Sequence, residues 1–451
     1  MTVLAAGTPT ETAGAGDGPV GRVLGLLRRP GLWSAGMSVF DQAVVSGATF
    51  ATSVLVGRFG GTEALGVYAL AWSTLLFVRG IQQHLISSSY TVLCRQRTGR
   101  RLALFGGSSV VQFAALAVVV GLASLAVSYG SAFVGRGGTL GPVFAVLAVA
   151  GPAILLREFL RAYEFAHFRT PSALVIDVVV AAVQLSGLGL LAYAGRLDGP
   201  TALGSLGVAC GAAAFVWWLR SADRIKIDRR LLWPHARRSW RFGRWALASQ
   251  LIGSSALMLA PWVVAAVRDE SETGLFAAGS TLVGLANVFV IGVCNYITPK
   301  MSEAFVDGGT GRLNQVVGKT VVLYLTTLCG FVVAAVTVGT WAAGAIYGEA
   351  FAAAGPVIGI LAADMIVNAM SITFGTGLCA MRRPRANFGA DVVAISVSLT
   401  ATVGLTIPFG PTGAAAALLI GGTAEAATRG MIYRKVLREE AARERRAAGG
   451  S

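Results

Sequence analysis

In Ala71–Tyr90, "AWSTLLFVRGIQQHLISSSY", an apolar run is interrupted by Arg79, with Gln82, Gln83 and Ser87 at i+3, i+4 and i+8. A guanidinium flanked by carboxamides is chemistry for an anion. Its planar N–H donors match phosphate oxygens in pairs, and hydrogen bonds from Gln82 and Gln83 would hold it in place. Carboxylates offer a second chemistry. "LAADMIVNAMSITFG" aligns Asp364, Asn368, Ser371 and Gly375 in another apolar run, with Asp364 near its middle. A carboxylate at that depth can change charge, which suits coupling to a proton or cation. "SVFDQAVVSGATFATS" puts Gln42, Ser46, Thr49 and Ser53 on one face beside Asp41, a second candidate coupling group. Ser280, Gly284, Asn287 and Asn295 form a comparable stripe. Ionisable groups in apolar spans are costly, so each is a candidate functional group.

Bland roles compete with these. Asp41 and Arg79 both lie roughly 10 Å from the cytoplasmic edge of antiparallel spans. A structural Asp41–Arg79 pair, or snorkelling by Arg79, therefore stands beside a role on substrate. Asp177 and Asp391 open their spans next to basic loops, and Glu425 has Arg429 one turn on; all three read as structural pairs.

Other chemistry is poorly served. Cys94, Cys210, Cys294, Cys329 and Cys379 are scattered without a C-x-x-C pair, as are His84, His167 and His235, so no metal site is expected. "GRLNQVVGKT" ends like a phosphate-binding loop, but Leu313 stands where the motif needs glycine, and no strand precedes it. No cofactor is implied. The outer loops "GRLDGP", "RDESET" and "PFGPTG" are short and lack histidine, a poor platform for catalysis.

What must position these groups is a bundle of membrane helices. The 451 residues are 55% hydrophobic and only 13% charged, more apolar surface than a soluble domain can hide. Apolar runs of spanning length recur, giving about twelve spans. They cover residues 33–57, 64–88, 102–128, 142–163, 171–194 and 200–219, then 244–267, 274–298, 319–346, 355–381, 386–407 and 412–433. With a cytoplasmic N-terminus, the outer loops contain only Arg58, Arg136, Arg196 and Arg268. All other Lys and Arg except Arg79 fall on the cytoplasmic side or at cytoplasmic helix ends, so both termini are placed there. The net charge of +15 then meets anionic lipid, and nucleic acid need not be invoked.

The expected class is an all-α membrane protein of two six-helix lobes, at 31–219 and 244–434. Residues 1–30 read as a disordered tail with an interfacial segment, "GRVLGLLRRPGLW", at its end. Residues 220–243 form a basic amphipathic linker rich in Arg and Trp, and 435–451 a basic tail. "GVYALAWSTL" at 66–75 resembles "GLFAAGSTLV" at 274–283, each opening the second span of its half, as in a parallel duplication. Pro261 falls inside span seven, where it should kink the helix and free backbone groups.

"FDQAVVSGATFATSVLVGRFGGTEALGVYALAWSTLLF" resembles the opening of polysaccharide-export flippases, members of the multidrug/oligosaccharidyl-lipid/polysaccharide flippase superfamily. "REFLRAYEFAHFRTPSALVIDVV" and "ITPKMSEAFVDGGTGRLNQVV" are similar to their links after spans four and eight. The resemblance implies a non-enzyme of the cell membrane. It would move undecaprenyl-pyrophosphate-linked oligosaccharide through a cavity opening alternately to each side. In related lipid-linked precursor flippases, cavity arginines hold the pyrophosphate, and one late in the second span matches Arg79. Their first-span arginine has no counterpart, since Asp41 and Gln42 stand there. On this reading Arg79, Gln82, Gln83, Gln42, Asn287 and Asn368 face substrate, and Asp364 and Asp41 couple an ion. Partners would be the lipid-linked glycan and membrane lipids, with a polysaccharide polymerase or glycosyltransferases as candidates. Rival readings are an ion-coupled multidrug or major-facilitator exporter and a membrane-embedded sugar-transfer enzyme. "RQRTGRRLAL" resembles the major-facilitator loop but has Gln96 and Val92 where that signature wants aspartate and glycine.

Overall fold

The computed structural model describes residues 30–133, 135, 138–221, 225–383 and 385–449. The expected N-terminal tail, the interfacial segment before Pro30 and the outer-loop Arg136 lie outside the described residues. The first half comprises α1 (Pro30–Gln82), a π-helical turn (Gln83–Ser87), α2 (Ser88–Leu93), α3 (Gly99–Phe133), α4 (Leu140–Ala166), α5 (Thr170–Tyr193) and α6 (Gly199–Ser221). The second comprises α7 (Arg229–Val267), α8 (Glu270–Tyr347), α9 (Gly355–Ala380) and α10 (Arg385–Gly449). Among the described residues, nine helices are long and apolar enough to cross a membrane.

Three of them are each two arms joined at glycine. The backbone leaves the helical region at Gly61 (φ 82°), at Gly308 and Gly309, and at Gly410. At Gly61 a side chain would be strained by the positive φ, so the reversal of α1 needs glycine there. Side chains stabilise the starts of other helices. Asp228 accepts from the Arg230 amide at 3.0 Å to begin α7, and Asp269 accepts from the Glu272 amide at 2.7 Å to begin α8. The second arm of α8 is capped from a distance. Glu444 on α10 accepts from the Thr310 amide at 3.0 Å and from its hydroxyl at 2.7 Å, placing a negative charge at a helix N-terminus. The basic tail expected after 434 thus continues α10 as helix and ties its end beneath α8.

The basic segment after 228 is likewise part of a continuous helix, the first half of α7. It packs along the end of α1 and the start of α3. The Ser89 hydroxyl donates to Ser239 O at 3.2 Å, and His235 Nδ1 shares a hydrogen bond with Ser108 at 2.8 Å. Pro261 sits further along α7, where its missing N–H leaves the Leu257 carbonyl without its usual helical donor.

One apolar cluster, including Phe144, Leu147, Phe159 and Tyr163, fills the first half. A second is shared, with Val56, Leu65 and Tyr68 packed among Phe276, Tyr347 and Phe351. That shared core lies toward the end where α1 turns at Gly61, opposite the basic helix ends. Polar contacts close the same end. Thr62 Oγ1 lies 2.6 Å from Ser271 Oγ, Ser53 Oγ 3.1 Å from the Tyr347 hydroxyl, and Arg58 donates to Ala345 O at 2.8 Å.

The closest approach is reciprocal. A Cβ on Gly66 would fall 1.7 Å from Glu270 O, and one on Gly274 would fall 1.9 Å from Thr62 O. The same offset of 208 relates the two glycines, 66 and 274, and the two facing carbonyls, 62 and 270, so the two segments cross each other at matched positions. No side chain fits this crossing without parting the helices. Gly66→Val is therefore expected to hold this end open. In a cysteine-free background, Thr62→Cys should crosslink readily to Ser271→Cys, and several-fold less once Gly66→Val is added. An unchanged yield would show that the glycine crossing does not govern closure.

Candidate functional site

Near its basic end α4 reads "LLREFLRAYEF". Arg157 and Arg161, one turn apart, share a face and reach the same carboxylate on α5. Arg157 Nη2 lies 2.6 Å from Asp177 Oδ1, and Arg161 Nε lies 2.6 Å from Asp177 Oδ2. Neither Asp177 oxygen meets hydrogen-bond geometry, so these are charge–charge contacts. Arg161 also donates to Asp41 on the first arm of α1. Arg157 Nη1 lies 2.5 Å from Glu158 Oε1, and Glu158 Oε2 lies 3.0 Å from Arg79 Nη2 on the second arm of α1. The result is an alternating chain, Asp41–Arg161–Asp177–Arg157–Glu158–Arg79, with formal charges that cancel. Its inner members are buried or nearly so, whereas the Arg79 side chain is 41% exposed. Neutrality makes such burial tolerable, because each ion's lost hydration is offset by two neighbours of opposite sign, or one at the ends.

The exposed end meets space. Arg79, Arg157, Glu158, Asp177 and Gln184 line a cavity of about 70 Å³, room for a few waters. Beside it lies a cavity of about 260 Å³ between the halves, bounded by Met258 and Pro261 of α7 and by Phe276 and Ser280 of α8. Thr49, Tyr68, Trp72 and Leu76 line both, so the two spaces adjoin.

The second half has its own charge cluster. Arg429 of α10 pairs with Asp391, and its Nη1 lies 2.9 Å from Glu425 Oε1. Ser371 of α9 donates to Glu425 at 3.0 Å and accepts from Arg429 Nη1 at 3.0 Å. Asp364 abuts the same arm of α10, where a Cβ on Gly422 would fall 2.7 Å from its Oδ1. Two carboxylates thus pair with one guanidinium and Asp364 lies nearby on α9, an acidic contrast to the balanced first half.

Of the sequence candidates, Arg79 borders a cavity, and its partner is Glu158. The Asp41–Arg79 pair does not form, because Asp41 is held by Arg161. Gln82 does not support Arg79: it is buried and donates to Leu155 O at 2.8 Å, tying α1 to α4. Gln83 is exposed at the start of the π-helical turn, with its Nε2 3.4 Å from Ser88 Oγ. Gln42 bonds Ser46 on its own helix at 3.2 Å. Gln42, Asn287 and Asn368 line neither cavity. Asp177, Asp391 and Glu425 are ion-paired as expected. Arg157, Glu158 and Arg161 were missed, although the span drawn at 142–163 contains all three. Counting their arginines as helix-end charges concealed them.

No family model and no curated protein matches the sequence. Solved structures do. A multidrug resistance MATE family transporter of the MOP superfamily, inward-facing, matches with a TM-score of 0.74 at 14% identity over 87% of this chain and 94% of that one. The lipid II flippase MurJ, inward closed, matches at 0.72 and 14% identity over 88% and 86%. A MOP superfamily transporter from Pyrococcus furiosus matches at 0.63 and 12% identity over 90% and 94%. At such identities the likeness is one of architecture: the chain is a multi-pass helical protein with the fold seen in MOP-superfamily transporters.

Proposed function

We propose that the protein is a flippase carrying undecaprenyl-pyrophosphate-linked oligosaccharide from the inner to the outer leaflet of the cytoplasmic membrane. On this reading twelve spans form two six-helix lobes, both termini are cytoplasmic, and the lobes rock about the central cavities. The observation that carries it is the placement of Arg79. It is the solvent-facing end of a charge chain whose other members fix its base, and it borders a cavity continuous with the space between halves. Guanidinium geometry suits the pyrophosphate, the sugars would occupy the wet space, and the prenyl chain would stay in lipid. Because the chain is neutral overall, the pyrophosphate must draw Arg79 from Glu158 rather than meet an idle cation.

The direct test is flipping of a fluorescent undecaprenyl-pyrophosphate glycan by the purified protein in liposomes. Protein-dependent loss of the label's accessibility from the loading side is expected, and its absence would overturn the reading. Asp364 is assigned to ion coupling, since a half-buried carboxylate beside Glu425 can take up a cation or proton during the cycle. Asp364→Asn cannot change charge, so flipping should fall and lose its dependence on external pH. Full activity with an unaltered pH profile would remove that role.

A second reading has one observation in its favour. The acidic second-half cluster and the aromatic walls at Tyr68, Trp72 and Phe276 suit a lipophilic cation, as in a multidrug exporter. That protein would confer resistance to cationic dyes and would not need Arg79.

A further inference from the structure

Glu164 lies two residues from the basic end of α4 and is 1% exposed. Its Oε1 accepts from Trp217 Nε1 at 2.8 Å, and its Oε2 is buried without a partner in the protein. A buried carboxylate oxygen left so is costly unless a donor reaches it from outside the chain. Glu164 borders a groove of about 340 Å³ between α5 and α6. Val175 and Val179 of α5 line this groove, whereas Asp177, Ala181 and Gln184, on the opposite face of α5, line the central cavity. The groove therefore opens on the outer flank of the first half, where exposed Val175, Val179 and Val216 meet lipid.

Its two ends differ. Glu164, Ser172 and Arg220 all lie within two residues of a helix terminus at the basic end, the level of lipid headgroups. From there the apolar wall runs inward along α5 for about 10 Å at the helical rise. Exposed Arg220 sits at the mouth, the Glu164 carboxylate is buried in the wall beside it, and a greasy slot lies beneath.

We infer that this groove seats a membrane phospholipid with a primary ammonium in its headgroup. The ammonium donates to Glu164, the phosphate accepts from Arg220, and one acyl chain lies along Val175 and Val179. A quaternary ammonium has no N–H to offer Glu164, and a headgroup without a cation leaves that oxygen unpaired. The inference is independent of what the central cavity carries.

Native mass spectrometry of the full chain with dioleoyl phosphatidylethanolamine, phosphatidylcholine or phosphatidylglycerol tests it. The ethanolamine lipid should bind about tenfold more tightly than the choline lipid, the size of one charge-assisted hydrogen bond. Glu164→Gln keeps an acceptor for Trp217 and should bring the two lipids level, whereas Arg220→Ala should weaken both. Equal binding of the two lipids by the unaltered protein, preference for the glycerol lipid, or an unchanged preference in Glu164→Gln would overturn the inference. The first comparison needs no variant, so poor folding of a mutant leaves the test intact.

Discussion

Arg79→Ala is expected to lower glycan translocation about ten- to a hundredfold, the range for losing a charge-assisted contact to an anion. The loss should fall on function rather than folding. Glu158, the partner left behind, keeps Arg157 at 2.5 Å, so no buried carboxylate is stranded. Arg79→Lys retains the charge without the two-pronged donor geometry and should keep part of the activity. Surface glycan measured at matched protein level checks both. Normal export by the alanine variant would end the anion-site role, and dye resistance surviving in that variant would point to a cation exporter.

Asp177→Ala should act in the opposite way, on folding first. Its carboxylate is fully buried between two guanidiniums, and removing it places Arg157 and Arg161 together with one fewer negative charge between them. Breaking a buried ion pair by deleting one partner costs about 3–5 kcal/mol. Because Arg157 keeps Glu158 and Arg161 keeps Asp41, the lower part of that range is expected. The measurement is the melting temperature of the detergent-purified protein, together with its yield in membranes. Melting unchanged from the parent would mean that the chain of charges does not hold α4 and α5 to α1.

These two residues also mark how much could be read from the amino acids in order. Arg79 announced itself because a charge inside one apolar run is anomalous whatever its neighbours do. The likeness of 66–75 to 274–283 was equally legible, and the structure brings these two segments together at a reciprocal glycine crossing. Partner choice was not legible. Gln82 and Gln83 lie three and four residues beyond Arg79, yet neither bonds it. Gln82 donates to the Leu155 carbonyl of α4, a partner no spacing along α1 could name, and Gln83 reaches only its neighbour Ser88.

What the amino-acid order determined by itself is therefore the class of molecule and the inventory of intramembrane charge. Hydropathy and the cost of ionising groups in lipid act residue by residue and need no knowledge of neighbours. Only the tertiary structure decided which carboxylate meets which guanidinium, and so which cation remains exposed. Helices far apart in sequence bring α1, α4 and α5 together, and an ion pair's energy depends on distances of a few ångströms that no spacing along one helix encodes.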